Sequence, residues 1–295
     1  MIKKEGLFTN EEVTQSDRCI HTPGTFAKQN LMYVQEVGRL TSLKPHRCIR
    51  ENLDSYLFLI VLEGKGSLDI KGKHYEISQG DCALIDCMEH YEHISDEQAA
   101  WKLAWVHFNG HAAKGYYDLF MKYNNDKNVF ITKDVASWNE KIGELLVCQK
   151  KRNLQAELRC GELLLGLLNN IIDSVSNTSI MESEQEKQIS AELRELLNKQ
   201  YGESNVLKIA ENNFGESLEQ LNSKFVRQFG ISVEEYISNR RFNAAKELLR
   251  FSIKPVEAVV EESGIGDMIA MQQMFREKEG MTAEEYRAKW AQWIR

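Results

Sequence analysis

The sequence predicts a multidomain α and β protein. An N-terminal antiparallel β-barrel, jelly-roll-like and with trailing helices, precedes a C-terminal all-α domain of two helix-turn-helix motifs joined by a long helix. Three observations predict it. Residues Val206 to Trp293 repeat themselves at a shift of fifty positions. Short β-rich runs separated by Gly turns fill Leu31 to Gly110. Apolar residues recur at helical spacing between Lys133 and Val175.

In the repeat, Val206 meets Val256, Ile209 meets Val259, Leu221 meets Met271, Phe225 meets Phe275 and Gly230 meets Gly280. Glu234-Glu235-Tyr236 meets Glu284-Glu285-Tyr286. Self-similarity of this kind implies one supersecondary unit used twice. In the first copy Gly215 turns the chain, and Ser217 with Gln220 has the chemistry of a capping box. In the second, Gly264 and Gly266 turn the chain and Asp267 caps the next helix. Ser232 with Glu235, and Thr282 with Glu285, predict two further capping boxes. Two short helices joined by a Gly turn make a helix-turn-helix. The joining helix, Glu234 to Phe251, spans about 27 Å at 1.5 Å per residue. That is long enough to hold two reading helices in successive major grooves, roughly 34 Å apart.

This segment resembles the AraC/XylS transcriptional regulators. The matching residues are Leu221, Phe225, Gly230, Tyr236, Arg241, Ala245 and Leu248-Leu249, then Val256, Val259, Gly264, Asp267, Phe275, Gly280, Tyr286 and Arg287. The resemblance implies that Ser217–Phe229 is the first recognition helix. Ser217, Glu219, Asn222 and Ser223 then lie at its DNA-facing start, where Asn pairs with adenine and Glu accepts from cytosine. Lys224, Arg227 and Arg241 are candidate phosphate contacts, which set register without reading sequence. The second reader departs from the family. Met268, Ile269, Ala270 and Gln273 stand where polar or basic side chains are usual, with Arg276 beyond them. Apolar side chains touch thymine methyls but form no bidentate hydrogen bonds. The second copy is therefore expected to add backbone contacts and little base reading, or to face another protein.

Charge bears on the same point. From Glu184 to Arg295 there are 16 Lys and Arg against 19 Asp and Glu, a balance of −3. Phosphate neutralisation supplies much of DNA affinity, so the sequence cluster Arg240, Arg241, Lys246, Arg250 and Lys254 has to serve. Binding is expected to be salt-sensitive, and weak without a second subunit.

Toward the N-terminus, Tyr56–Leu62 ends at the turn Glu63-Gly64-Lys65-Gly66. Ser67–Ile70, His74–Ile77, Cys82–Ile85 and Trp101–Phe108 follow as strands. Such spacing argues for an antiparallel barrel or sandwich. Leu62-Glu63-Gly64, Gln79-Gly80-Asp81, the His90 region and Trp105-Val106-His107-Phe108-Asn109-Gly110 resemble the cupin ligand-binding domain of the same family. The resemblance implies a small barrel holding a small-molecule effector, a sugar being one candidate, among aromatic and polar side chains. Tyr33, His46, Tyr56, His90, His93 and Trp105 are the candidate effector residues. Metal-binding cupins carry His-x-His after the second strand; Arg50–Tyr56 has no histidine, so no metal, no cofactor and no enzymatic role are expected.

Trp138, Ile142, Leu145 and Leu146 mark one amphipathic helix, and Leu158, Leu163, Leu164, Leu167, Leu168, Ile171 and Ile172 a second. In the family such helices often pair subunits, which implies a homodimer; the plain alternative is an intrachain hairpin. The expected organisation is a sensing domain over 1–132, a helical hairpin over 133–175, a polar linker over 176–186 and the reader over 187–295. A net charge of −7 argues against a generic polyanion-binding tail. No apolar segment follows Met1-Ile2-Lys3-Lys4, so no signal peptide is expected and the location is cytoplasmic. The longest apolar run is too short to span a bilayer. The six cysteines form no Cys-x-x-Cys pair and read as reduced thiols. The expected partners are double-stranded DNA, a small-molecule effector and a second copy of the chain, with RNA polymerase a candidate and no membrane. The function expected is ligand-responsive, sequence-specific regulation of transcription. The alternative is a regulator with weakened DNA binding that acts through protein contacts.

Overall fold

The computed structural model describes residues 13–179 and 184–291. The chain divides into two compact units, Met1–Met181 and Glu182–Arg295.

The first unit holds β1 (Thr14–Ile20), α1 (Thr25–Asn30), β2 (Tyr33–Ser42), β3 (Arg47–Arg50), β4 (Tyr56–Glu63), β5 (Lys65–Ile70), β6 (Lys73–Ser78), β7 (Asp81–Asp86), β8 (Tyr91–Ser95) and β9 (Lys102–Asn109). It continues with α2 (Ala113–Tyr123), β10 (Val129–Ile131), α3 (Val135–Gln149) and α4 (Leu154–Ser179). One sheet has six strands in the order β1-β2-β9-β4-β7-β10, the other four in the order β3-β8-β5-β6. Consecutive strands β4 and β5 lie in different sheets, and the corner between them is Gly64. Its φ is +76°, and a Cβ there would lie 2.7 Å from the carbonyl oxygens of Ala99 and Ala100, so glycine alone fits. Because the chain changes sheet at such corners without a ladder joining the edges, the predicted barrel is an open two-sheet sandwich.

Strand alternation explains why Tyr56–Leu62 is apolar throughout. Phe58 and Ile60, with Val106 and Phe108 of β9, face Trp138, Ile142 and Leu145 of α3 and Leu164, Leu168 and Ile171 of α4. Leu57, Leu59 and Val61, with Leu103, face the other way and meet Leu68, Ile70 and Tyr91 of the smaller sheet. A strand covered on both faces has no polar side to show. Each fully buried Leu, Ile or Phe contributes about 1.5–3 kcal/mol. The predicted helical hairpin is therefore a layer packed on the six-stranded sheet.

The predicted polar linker is only partly a linker. Residues 176–179 continue α4, and residues 184–186 begin the next helix. Buried Val175 carries the apolar stripe of α4 further than the polar composition suggests. The rest of the predicted linker, residues 180–183, lies outside the described residues, as does Trp293.

The second unit is α5 (Glu184–Gln200), α6 (Val206–Phe214), α7 (Leu218–Phe229), α8 (Val233–Phe251), α9 (Val256–Ser263), α10 (Met268–Glu279) and α11 (Ala283–Trp290). It has two cores. Leu193, Leu197, Val206, Leu221 and Phe225 meet Val233 and Ile237 at the start of α8. Val259, Met271, Phe275 and Tyr286 meet Phe242, Ala245 and Leu249 at its end. One helix thus lends a face to each repeat. The repeats differ at their first turn. In the second, α9 stops a residue early at Gly264, whose φ is +74° and whose missing Cβ leaves room for the Gly202 backbone (2.6 Å). Buried Ile265 fills the extra turn position.

Candidate functional site

The reader surface begins with how α7 and α10 are held. Ser217 and Gln220 form a complete capping box at α7, and the Asp267 carboxylate accepts from the Ala270 N–H at α10. Thr282 and Glu285 complete a second box at α11. At α8 only half of the expected box forms: Ser232 Oγ accepts from the Glu235 N–H. The side chain of Asn222 instead accepts from the N–H of Val233, at 2.9 Å. Gln272, fifty residues on, accepts from Ala283 N–H at 3.1 Å. The same tie fixes α7 to α8 and α10 to α11.

That tie corrects the expectation for Asn222, whose acceptor is spent inside the domain. Arg241 is corrected likewise: Nε donates to the Tyr201 carbonyl at 2.6 Å and a terminal nitrogen to the Glu203 carbonyl at 2.9 Å. It braces the loop ahead of α6, which commits two of its three nitrogens inside the domain. Lys224 lies against the Glu216 carboxylate, which cancels its charge. Met268 packs partly into the second core. The outward stripe of α7 is then Glu219, Ser223 and Arg227, all exposed. Its counterparts on α10 are Ile269, Gln273 and Glu277, also exposed, with Arg276 beside them. Ser217 stands at the mouth of α7 as its cap.

The second candidate site is a cavity of about 190 Å³ inside the sandwich. It brings together three of the predicted effector residues, His46, His93 and Trp105, with Arg18, Glu36, Cys48, Arg50, Tyr91 and His107. Arg18 pairs with Glu36 at 3.6 Å and lies 6.0 Å over the Trp105 ring. His46 shares a hydrogen bond with Ser42 Oγ at 2.9 Å, and His107 with Ser55 Oγ at 3.1 Å. The rings of His46 and His93 stand 5.8 Å apart, edge to face. Burial disfavours the charged imidazolium. It lowers His46, holds His93 down at about 3 and holds His107 at about 4. The cavity wall therefore carries neutral imidazoles at pH 7, and its fixed charges are those of Arg18, Arg50 and Glu36.

Three predicted effector residues lie elsewhere. Tyr56 points to the helix side of its sheet, stacked on Phe108 at 5.9 Å and beside Tyr117. Tyr33 opens β2 opposite Asn109 and does not line the cavity. His90 sits in the β7–β8 turn, 3.4 Å from the Glu51 carboxylate. Alternation would have sorted them. On β9 an inward Trp105 brings in His107, and on β8 an inward Tyr91 brings in His93 and excludes His90. Arg18 and Glu36 carry no such signal: Arg18 lies on β1, ahead of the β-rich region, and the bulge between Val34 and Glu36 breaks the alternation at the start of β2. All six cysteines are free thiols, and among the described residues no His, Cys, Asp and Glu cluster is arranged to hold a metal ion.

Comparison with known proteins matches both halves. A model of the AraC-like ligand-binding domain covers residues 34–126, and a helix-turn-helix domain model covers residues 212–289. The chain is 23% identical over 242 residues to the Msm operon regulatory protein of Streptococcus mutans serotype c, covering 79% of this chain and 84% of that protein. It is 29% identical over 128 residues to the HTH-type transcriptional regulator YbfI of Bacillus subtilis (strain 168), covering 43% of this chain and 45% of that one. ToxT from Vibrio cholerae O395 aligns with 94% of this chain and 98% of its own at 13% identity and a TM-score of 0.31, too distant to bear on function. No described helix is long and apolar enough to cross a membrane. The chain belongs to the AraC family of transcriptional regulators, with an AraC-like ligand-binding domain ahead of a helix-turn-helix DNA-binding domain.

Proposed function

We propose that a small polar effector, a sugar or a comparable organic molecule, binds in the sandwich cavity and alters DNA binding by the helix-turn-helix domain. The observation that carries this reading is the cavity itself. It is too small for a drug-sized ligand. It combines an aromatic face at Trp105 with the Arg18–Glu36 pair and neutral imidazoles, a mixture of apolar contact and hydrogen bonding that suits a hydroxylated molecule. An effector shifts a conformational equilibrium only as far as it binds one state better than the other. A thermal-shift screen of sugars and small acids tests the reading. A ligand at a hundred times its dissociation constant adds about 2.7 kcal/mol, or roughly 5–10 °C for a unit of this size. Trp105→Ala is expected to abolish that shift. A screen in which every hit also stabilises Trp105→Ala would remove the cavity from the account.

The DNA partner implies action in the cytoplasm, and the regulator reading assigns the chain no catalysis. Its expected oligomer is a dimer through the helical layer. Leu154, Leu158 and Leu165 are exposed on α4 and fall within about 40° of one another around the helix axis. Exposed apolar stripes of this kind mark association surfaces. Leu158→Glu is expected to convert a dimer to a monomer in sedimentation experiments; a wild-type chain that sediments as a monomer would refute the dimer.

A second reading has its own observation. Lys224, Lys246 and Lys254 each face a carboxylate of the same domain: Glu216, Glu279 and Glu262. Cations already neutralised release fewer counterions from DNA. A regulator that works mainly through protein contacts would show no gel shift on the chain's own upstream region even at low salt. A shift at low salt that weakens at high salt supports the DNA-reading form.

A further inference from the structure

The second reading helix presents a side chain that hydrogen-bond logic does not explain. Ile269 is the second residue of α10, and 79% of it is exposed. Its neighbours in sequence are accounted for. Met268 packs partly into the core with Met271 and Phe275, and the Ala270 N–H is held by the cap at Asp267. Ile269 is not a leftover of that core, because it lies on the opposite side of the helix from Met271 and Phe275. The repeat assigns its position. It stands where Glu219 stands on α7, also the second residue of its helix. In a helix-turn-helix the N-terminal residues of the second helix are the ones that reach base edges.

We propose that Ile269 reads the C5 methyl group of a thymine in the major groove, which makes the two copies readers of different chemistry. The inference rests on the DNA-reading function proposed above. The methyl of thymine is the apolar group that a base pair shows in the major groove, so an aliphatic side chain at a base-edge position has one natural partner there. The rest of the stripe supports this division. Where α7 carries Glu219, Ser223 and Arg227, α10 carries Ile269, Gln273 and Glu277. The Gln273 amide donates to the Glu277 carboxylate at 2.8 Å, and Glu277 replaces the cation of the first copy with an anion. Copy one offers charge and hydrogen bonds, with Glu219 placed to accept from a cytosine amino group. Copy two offers an aliphatic surface made by Ile269 and Ala270.

The test uses the full chain. Duplexes are selected from a random pool at low salt, and in the enriched duplex each thymine is replaced in turn by deoxyuridine, which lacks only the methyl. Loss of one methyl contact at about 0.8 kcal/mol predicts a weakening of about fourfold at one position, in the half-site facing the second copy. Ile269→Ala is expected to bind the thymine duplex more weakly and to be indifferent to that methyl. Glu219→Ala is expected to keep the methyl sensitivity while losing discrimination at a cytosine in the other half-site. The exposed position and the good helix propensity of alanine keep the Ile269 variant folded, as circular dichroism would verify. The proposal falls if no single thymine matters, or if the fourfold loss is the same in Ile269→Ala. If no duplex is enriched at all, the DNA-reading function fails and the methyl reading falls with it; Ile269 then belongs to a protein contact.

Discussion

Taking the protein from pH 7.5 to pH 5 is expected to remove about 4 kcal/mol of stability from the ligand-binding unit. The main cause is two buried imidazoles on the cavity wall, His93 held down at about 3 and His107 at about 4 by burial, with His46 lowered in the same direction. In the unfolded chain both return to about 6.5. Below pH 6.5 the unfolded state therefore binds protons that the folded state refuses, and stability falls with pH. The contribution is fully present above pH 6.5 and is lost as pH drops through the folded values. At pH 5, each histidine is about 1.5 units below its unfolded value, and at 1.36 kcal/mol per unit each costs about 2 kcal/mol. Against a typical domain stability of about 5–15 kcal/mol that is a large share. The half-buried carboxylates Glu92 and Asp96 are also held low, by Arg47 and by backbone amides. Their effect begins only near the ordinary carboxylate range, so the fall between pH 6.5 and 5 belongs to the histidines. Urea titrations at pH 7.5, 6 and 5 measure it, and His107→Gln should remove about 2 kcal/mol of the loss. A flat profile from pH 6.5 to 5 would mean that the imidazoles are already solvated.

The reader was legible in the sequence because it is a repeat: fifty-residue register, Gly stops and N-caps are local chemistry, and each reappears at its expected position. What was not legible is where side chains spend their hydrogen bonds. Asn222 and Arg241 sit at positions that suit DNA contact, yet Asn222 ties α7 to α8 and Arg241 braces the Tyr201–Glu203 loop. Such bonds join residues 11 and about 40 positions apart, which periodicity does not report. In the cavity the difficulty is strand pattern. His46, His93 and Trp105 line it together with Arg18, Glu36 and Arg50, which come from strands whose pattern is mixed and whose partners lie across the fold. Residue type points Tyr56 and His90 to the cavity, but strand phase places them elsewhere. The sequence pattern marks α5 less plainly than the repeat, because its many polar residues hide Leu193 and Leu197, both buried in the first repeat's core.

Phe225→Ala and Phe275→Ala are each expected to cost about 3–5 kcal/mol, the range for emptying a buried aromatic site. Both side chains are fully buried. Phe225 packs on Phe229 at 4.6 Å and on Tyr236 at 5.3 Å, and Phe275 on Phe242 at 4.7 Å and on Tyr286 at 5.2 Å. The rings belong to separate cores bridged by α8, so the two substitutions differ in where the loss appears. In Phe275→Ala, hydrogen exchange should quicken in α9, α10 and α11 while α5, α6 and α7 keep their protection; in Phe225→Ala the pattern should reverse. Local opening of this kind is expected where contacts group into distinct clusters. The functional consequence follows from helix geometry. Leu221 and Phe225 anchor the inner side of α7, and Glu219 and Ser223 ride on its outer side, so freeing the ring unseats the stripe proposed to read DNA in that copy alone. Phe225→Ala should then abolish discrimination at cytosine and leave the methyl sensitivity of the other half-site. If either substitution strips protection from both repeats equally, α8 couples them into one cooperative unit, and the two copies do not read DNA as independent halves.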